Sequence, residues 1–514
     1  MGRNWGQNWG RGKALRAVGF ATVLAGLSLG LNLGLGRPAQ AAASQPAAKK
    51  IEAAGSPFLT IGAFDLKAMG YVVEEFIVSG AATAYKLTGE ATADGAWTAV
   101  TTDQAPYATR IVVIRPQDPK KFSGTAVAEW LNVTGGLDAG PDWTYSHREM
   151  LRSGMAYVGV SAQRVGVEGG QGIGGTPGMS LKRVNPARYG TLSHPGDTYA
   201  FDMFSQAGQA VKAGAVLGPL KAKHVIATGE SQSAVFMTTY VNAIDPLARV
   251  YDGFYIHSRF GGAPPPEMAA MRGGPNGRPG PTGVLMRPNL RVPVMTLISE
   301  TDLIGSGLSG FWAAEQPDNA KLRIWEMPGT AHVDNYMFFV GGHDDGKQPT
   351  DKIAEYWKPN DALFGSKMAK PINAAPQHHY VAMAALAGLD RWVRTGKPPA
   401  KAARMMTEPG ESGKPPKLIA DANGNTKGGI RTPWVDAPIA RLSGSGNAGG
   451  PFGFLVGSTQ PFDAATLARL YPGGKADYMK AFDASLSRAV KEGFILPADQ
   501  AEIRDLAAAG YPAS

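Results

Sequence analysis

A serine becomes a nucleophile only when the chain lifts its hydroxyl clear of its neighbours and brings a base to it. Gly229-Glu230-Ser231-Gln232-Ser233 has the first property. The segment follows the apolar run Val225-Ile226-Ala227 and leads into Ala234-Val235-Phe236-Met237. That order predicts a strand, a tight turn and a helix, with Ser231 at the apex. Such a nucleophile elbow pushes a serine hydroxyl out above a sheet edge. Small residues must flank the serine, because strand and helix pass within contact distance. Gly229 meets that need, and the fifth position, normally Gly, is the small Ser233.

A serine hydroxyl also needs a base to take its proton and an acid to orient that base. After an elbow of this kind the chain order is Ser, acid, His. The histidines that follow Ser231 are His257, His332, His343, His378 and His379. His332 is the best placed, in Pro328-Gly329-Thr330-Ala331-His332 just beyond a predicted strand. His257 precedes any acid on the next strand. His343 sits in the solvated-looking turn Gly341-Gly342-His343-Asp344-Asp345, and His378-His379 reads as an exposed pair or a cap before a helix. The acid should end the strand before the histidine's strand, and Ser299-Glu300-Thr301-Asp302 offers two carboxylates there. Asp302 is favoured by its place in the loop, with Glu300 as the alternative. An oxyanion hole would use the backbone N–H of Gln232 and one near Val133, where Gly135-Gly136 sharpens the turn. Trp130, Trp143 and Trp325 sit beside the predicted site loops and are candidates for an apolar acyl or alcohol pocket.

The elements that must hold these residues read as follows. Strand-like runs cover 71–78, 109–115, 125–131, 155–161, 225–228, 250–257, 292–298 and 322–327. Helical patterns cover 199–217, 380–394 and 478–492. Strands alternating with helices predict an α/β fold with a mostly parallel sheet and helices on both faces. Residues 162–196 form a long Gly-rich loop, in which His194-Pro195-Gly196-Asp197 reads as a structural turn. The Gly/Pro-rich insertion 261–288 is a candidate lid or cap over the carboxyl ends of the strands. Residues 400–514 read as a loop-rich extension packed on the catalytic domain, which spans 56–514.

Together these segments are similar to an "alpha/beta hydrolase domain-containing" family of large secreted bacterial serine hydrolases. The resemblance rests on Glu129-Trp130-Leu131-Asn132-Val133 with Pro141-Asp142-Trp143, on Val158-Gly159-Val160-Ser161-Ala162-Gln163, and on Arg188-Tyr189-Gly190 with His194-Pro195-Gly196-Asp197. It continues through the Ser231 and His332 segments to Gly428-Gly429-Ile430-Arg431-Thr432-Pro433 and Tyr471-Pro472. The resemblance implies an α/β-hydrolase fold and Ser/acid/His chemistry at Ser231 and His332. It does not choose between Asp302 and Glu300.

The N-terminus reads as a secretory signal peptide over 1–41. Arg3, Arg11, Lys13 and Arg16 precede an uncharged apolar run from Ala17 to Leu35, and Ala39-Gln40-Ala41 fits a small-residue cleavage site. The run is Gly-rich and contains Asn32, which favours a cleaved leader over a membrane anchor. No Arg-Arg pair is present, so the general secretory route is expected. Residues 42–55, rich in Ala, Ser, Pro and Lys, read as a flexible linker. The chain has no cysteine, which excludes disulfides, a Cys nucleophile and thiolate metal sites, and fits a bacterial periplasm or exterior. The net charge of +9 owes much to the leader, without which 46 basic face 42 acidic side chains. Nucleic-acid binding is therefore not expected.

The resulting expectation is a secreted or periplasmic serine hydrolase acting on a small-molecule carboxylic ester. It needs no cofactor and no metal, and it stays out of the membrane once the leader is removed. An amide or lactone hydrolase with the same residues, and a catalytically silent binding or scaffold protein, are the alternatives.

Overall fold

Short apolar runs build the centre of the molecule. The computed structural model describes residues 45–512 except 176 and 270–280. The central strands are β1 Ala47–Lys50, β2 Tyr71–Leu87, β3 Ala99–Pro116, β4 Thr125–Trp130, β5 Ala156–Val160, β6 His224–Glu230, β7 Gly253–His257, β8 Val294–Ser299 and β9 Leu322–Met327. They form one sheet in the order β1-β2-β3-β5-β4-β6-β7-β8-β9. From β5 to β9 every neighbouring pair is parallel. The three pairings at the β1 end are antiparallel. This is an α/β-hydrolase fold.

Both faces of the sheet are covered, which is why its strands are apolar on both sides. Ala126, Ala128 and Trp130 of β4 face one core, with Phe201, Phe204 and Ala207 of the helix Ala200–Lys212. Val127 of β4 and Ile226 of β6 face the other, with Leu386 and Leu389 of the helix Gln377–Thr395. The helix Pro141–Arg152 packs on this second side and adds Trp143 and Tyr145 to its core. β4 pairs with β5 on one edge and with β6 on the other. The chain thus winds outward in both directions from this point, and ligands of open α/β sheets bind beyond the strands' carboxyl ends at such a place.

Three sequence expectations change. Within the linker expected over 42–55, residues 47–50 are instead strand β1, paired with Phe76–Ser79 on the open edge of β2. The edge offers unpaired backbone groups, and Lys50 adds an ion pair to Glu74 at 2.9 Å. The strands expected over 71–78 and 109–115 run on as a long hairpin to Leu87 and from Ala99. Small residues such as Gly80 and Ala81 blur the alternation there, while Ala82, Tyr85 and Leu87 still reach the core. His378 and His379 are not an exposed pair: they lie inside the first turns of the helix that begins at Gln377, fully buried.

The signal peptide expected over 1–41 lies outside the described residues, and so does the centre of the candidate lid. The described flanks of the lid are tied down. Val284 N–H donates to Gly261 O at 2.8 Å and Leu285 N–H to Ala93 O at 2.8 Å. Among the described residues no helix is long and apolar enough to cross a membrane. The C-terminal extension places Phe482, Leu486 and Ile503 in the same core as Val127 and Ile226.

Candidate active site

The end of β6 sets the position of Ser231. The serine has φ 60° and ψ −120°, a region that side chains other than glycine rarely adopt. The turn holds because the serine N–H donates to His257 O at 3.0 Å, and the helix Gln232–Thr239 starts at the next residue. The tight return brings Ser233 against Gly229. A Cβ on Gly229 would lie 3.0 Å from the Ser233 carbonyl, tighter than most side-chain contacts, so the helix start would have to give way. Ser231 is 8% exposed.

Two loops from neighbouring strands meet this hydroxyl. His332 follows β9, and its Nε2 lies 2.7 Å from Ser231 Oγ. Asp302 follows β8, and its Oδ1 lies 2.5 Å from His332 Nδ1. A carboxylate at Nδ1 draws the ring proton there and leaves Nε2 to accept the serine proton. Local sequence positions the carboxylate: Ser299 caps the short helix Glu300–Ile304, and Asp302 reaches back to the Ser299 N–H at 2.7 Å. This is a reciprocal capping box. Burial pushes the Asp302 carboxyl up, but the His332 ring and the Ser299 donors outweigh it and hold it below its ordinary value.

Glu300 performs a different task. Its Oε1 accepts the Gly329 N–H at 2.6 Å and its Oε2 the Gly444 N–H at 2.8 Å. It therefore ties the loop that carries His332 to the C-terminal extension. Thr301 completes the brace: its hydroxyl donates to Gly444 O and accepts the His332 N–H at 3.0 Å. Burial raises the Glu300 carboxyl more than the two glycine N–H groups lower it.

On the other side of the serine, Gln232 heads its helix, so its N–H is among those the helical ladder leaves unpaired. The Val133 N–H, just beyond β4, points at the Gln232 side chain, with Oε1 at 3.4 Å. Gln163 Oε1 holds that side chain, accepting from Gln232 Nε2 at 2.6 Å and from Trp130 Nε1 at 3.1 Å. Asn132 fixes the turn from below: its Nδ2 donates to Glu230 O at 3.1 Å and its Oδ1 accepts the Thr134 N–H at 2.7 Å. The Glu230 carboxyl is fully buried behind the serine, 3.5 Å from His332 Nε2. Burial, with the charges of Asp142, Asp302 and Glu129, pushes it well above its ordinary value.

Trp130 and Trp143 do not line this site, which corrects the expected pocket. Trp130 packs among Phe201, Phe204 and Phe236. Trp143 packs on Tyr157 and donates to Ile61 O at 3.0 Å on the far face of the sheet. Trp325 packs in that same core against Phe494. These indoles fill the layers between sheet and helices. The apolar residues that do adjoin the site are Phe260, whose ring lies 4.9 Å from that of His332, and Val333. Neither carried a motif in the sequence. The brace at Gly444 was equally silent, since it joins residues 144 positions apart.

Four other histidines have structural partners. His257 Nδ1 lies 2.8 Å from Asp142 Oδ1 and its Nε2 2.8 Å from His378 Nε2, all buried. His379 stacks on Tyr336. His194 contacts Ala162 O at 2.9 Å in the turn before Gly196, whose φ is 135°.

A family model described as "Alpha/beta hydrolase domain" matches residues 38–505. No curated protein matches the chain. Solved structures that match part of the chain include a thermostable esterase from Pseudomonas putida, 13% identical, covering 46% of this chain and 66% of its own, with a TM-score of 0.25. An α/β serine hydrolase without lid from Xanthomonas campestris is 11% identical, covering 49% of this chain and 85% of its own, also with a TM-score of 0.25. The chain therefore spans just under two thirds of the length of the Pseudomonas esterase it resembles. With a nine-stranded sheet of this order and a family match over most of its length, the chain belongs to the alpha/beta hydrolase domain family.

Proposed function

We propose that this hydrolase cleaves carboxylic esters through an acyl-enzyme on Ser231, with His332 as base and Asp302 as the acid that orients it. The observation that carries this reading is the unbroken contact chain Asp302–His332–Ser231, at 2.5 and 2.7 Å. His332 Nε2 takes the serine proton as Oγ attacks the ester carbonyl. The negative charge that forms on the carbonyl oxygen is met by the N–H groups of Gln232 and Val133. At rest the Val133 N–H faces the Gln232 amide oxygen, and the substrate oxygen takes that place. His332 then gives its proton to the leaving alcohol. In the second half a water molecule, deprotonated by the same nitrogen, attacks the acyl carbon and frees Ser231. Every proton moves through His332, and the Asp302 charge stabilises the imidazolium that forms twice per cycle.

The leader-like N-terminal sequence and the absence of cysteine support export to a bacterial periplasm or exterior. The test of the chemistry is hydrolysis of p-nitrophenyl esters from acetate to palmitate by wild type and Ser231→Ala. Turnover that depends on Ser231 upholds the reading. A folded wild-type protein that turns over no ester overturns it, in favour of an amide or lactone hydrolase or a silent scaffold.

A further inference from the structure

His332 carries an apolar collar that the reaction as described does not use. Phe260 packs on one side of the ring, and Val333 follows it in the chain. Both belong to a separate apolar cluster that also receives Ile173 of the Gly-rich loop. Ile173 is held beside the β4 turn, its N–H donating to Thr134 O at 2.8 Å. Outward from His332 the same cluster continues to Phe338, and the rings of Phe338, Phe364 and Phe452 contact one another at 5.4, 5.8 and 6.3 Å. The result is a continuous run of contacting apolar side chains from beside the histidine to exposed Phe364, contributed by loops after β5, β7 and β9 and by the C-terminal extension.

Its outer end carries an independent mark. Phe364 is 73% exposed, the most exposed large hydrophobic side chain among the described residues. It sits with Gly365 at the tip of a two-residue hairpin, Leu363 pairing with Ser366. Both tip residues have positive φ, 49° for Phe364 and 78° for Gly365. Hairpin tips of this hand favour Asn, Asp or Gly at the first position, and a bulky residue there is strained. An exposed phenylalanine thus occupies a position where a small polar residue would suit both backbone and solvent. Strain of this kind points to function at the side chain.

The chemistry says which half of the substrate meets this path. When the tetrahedral intermediate collapses, the bond from carbon to the ester oxygen breaks. The electron pair leaves on that oxygen, which takes the proton from His332 Nε2. The leaving alcohol must therefore lie against His332, and the acyl group stays on Ser231. We infer that the path from Phe260 and Val333 to Phe338, Phe364 and Phe452 binds the alcohol portion of the substrate, and that this alcohol is large and apolar, with an aryl or long alkyl group. The inference rests on the ester reading above and adds the leaving-group class to it.

Two ester series that share methyl acetate separate the inference from that reading. One holds the acyl group as acetate and varies the alcohol through methyl, butyl and 2-phenylethyl. The other holds methanol and varies the acid through acetic, pentanoic and 3-phenylpropionic. Expected is a rise in kcat/KM of about tenfold or more along the alcohol series, exceeding any rise along the acid series. Phe364→Ala and Phe452→Ala should each lower the ratio of kcat/KM for 2-phenylethyl acetate to that for methyl acetate several-fold. The ratio is insensitive to the fraction of folded enzyme. Selectivity that follows the acid series, or a ratio unchanged in both variants, overturns the inference while leaving the ester reading intact. No Ser231-dependent turnover in either series overturns the ester reading itself, and the inference with it.

Discussion

Glu300 and Asp302 stand two residues apart after β8 and face opposite duties: Asp302 Oδ1 contacts His332 Nδ1 at 2.5 Å, while Glu300 Oε2 holds the Gly444 N–H at 2.8 Å. In the proposed mechanism one carboxylate orients the histidine, and the other fastens the loop that carries it.

Their amides should differ accordingly. Asp302→Asn keeps the shape but presents an NH2 or a neutral oxygen to Nδ1, and kcat should fall by about 10⁴-fold, the scale known for this change in serine-protease triads. Glu300→Gln keeps one acceptor and loses a charge that is already costly to bury. Its activity should fall less than about tenfold, with a stability loss of ~1–3 kcal/mol from one poorly matched glycine N–H. Steady-state kinetics and denaturant unfolding of the two variants check the ranking, and the reverse order would exchange their roles.

Gly444→Ala tests whether the C-terminal extension supports the site. A Cβ there would collide with the Thr330 carbonyl, Glu300 Cβ and the Thr301 nitrogen. The loop that holds His332 must shift. The variant should lose ~1–3 kcal/mol of stability and kcat together, with KM changed less. Wild-type kinetics in a stably folded variant would detach the extension from catalysis.

Much of this site was legible in the chain because its parts are local. Strand, turn and helix around Ser231 lie within sixteen consecutive residues, His224 to Thr239, and the small-residue rule at Gly229 follows from one close approach. The place of His332 after β9 and of Asp302 after β8 followed from strand order and the scarcity of histidine. What escaped the sequence is long-range. Trp130 and Trp143 are near the site in sequence but belong to the layers between sheet and helices. Phe260 and Val333 join one cluster, and Phe364 reaches it through Phe338 and Phe452, from distant loops with no shared spacing. β1 was hidden in an Ala/Lys stretch because its pairing comes from the free edge of β2, not from its own side chains.

Stability should carry a pH signature from Glu326 on β9. Its Oε2 accepts the Met405 N–H at 2.6 Å. Burial, with the Glu315 charge added, pushes the carboxyl from 4.5 up to about 8. Arg404 Nε, 3.6 Å away and partly exposed, offsets only part of this. With the folded pKa above the unfolded one, the folded state keeps a proton that the unfolded chain releases. This contribution is fully present below the unfolded pKa of about 4.5 and is lost as pH rises through about 8, at up to ~1.4 kcal/mol per pH unit. Glu326→Gln keeps the Met405 contact and removes the titration. Its Tm should therefore fall less than that of wild type between about pH 5 and about pH 8. Parallel Tm curves would contradict the assignment.

The most direct test of the central claim is covalent labelling by a fluorophosphonate, read by intact-protein and peptide mass spectrometry. One label per chain is expected on the peptide that contains Ser231. It should be absent in Ser231→Ala and strongly slowed in His332→Ala and Asp302→Asn. Labelling at another serine, or none in folded wild-type protein, would contradict Ser231 as an activated nucleophile.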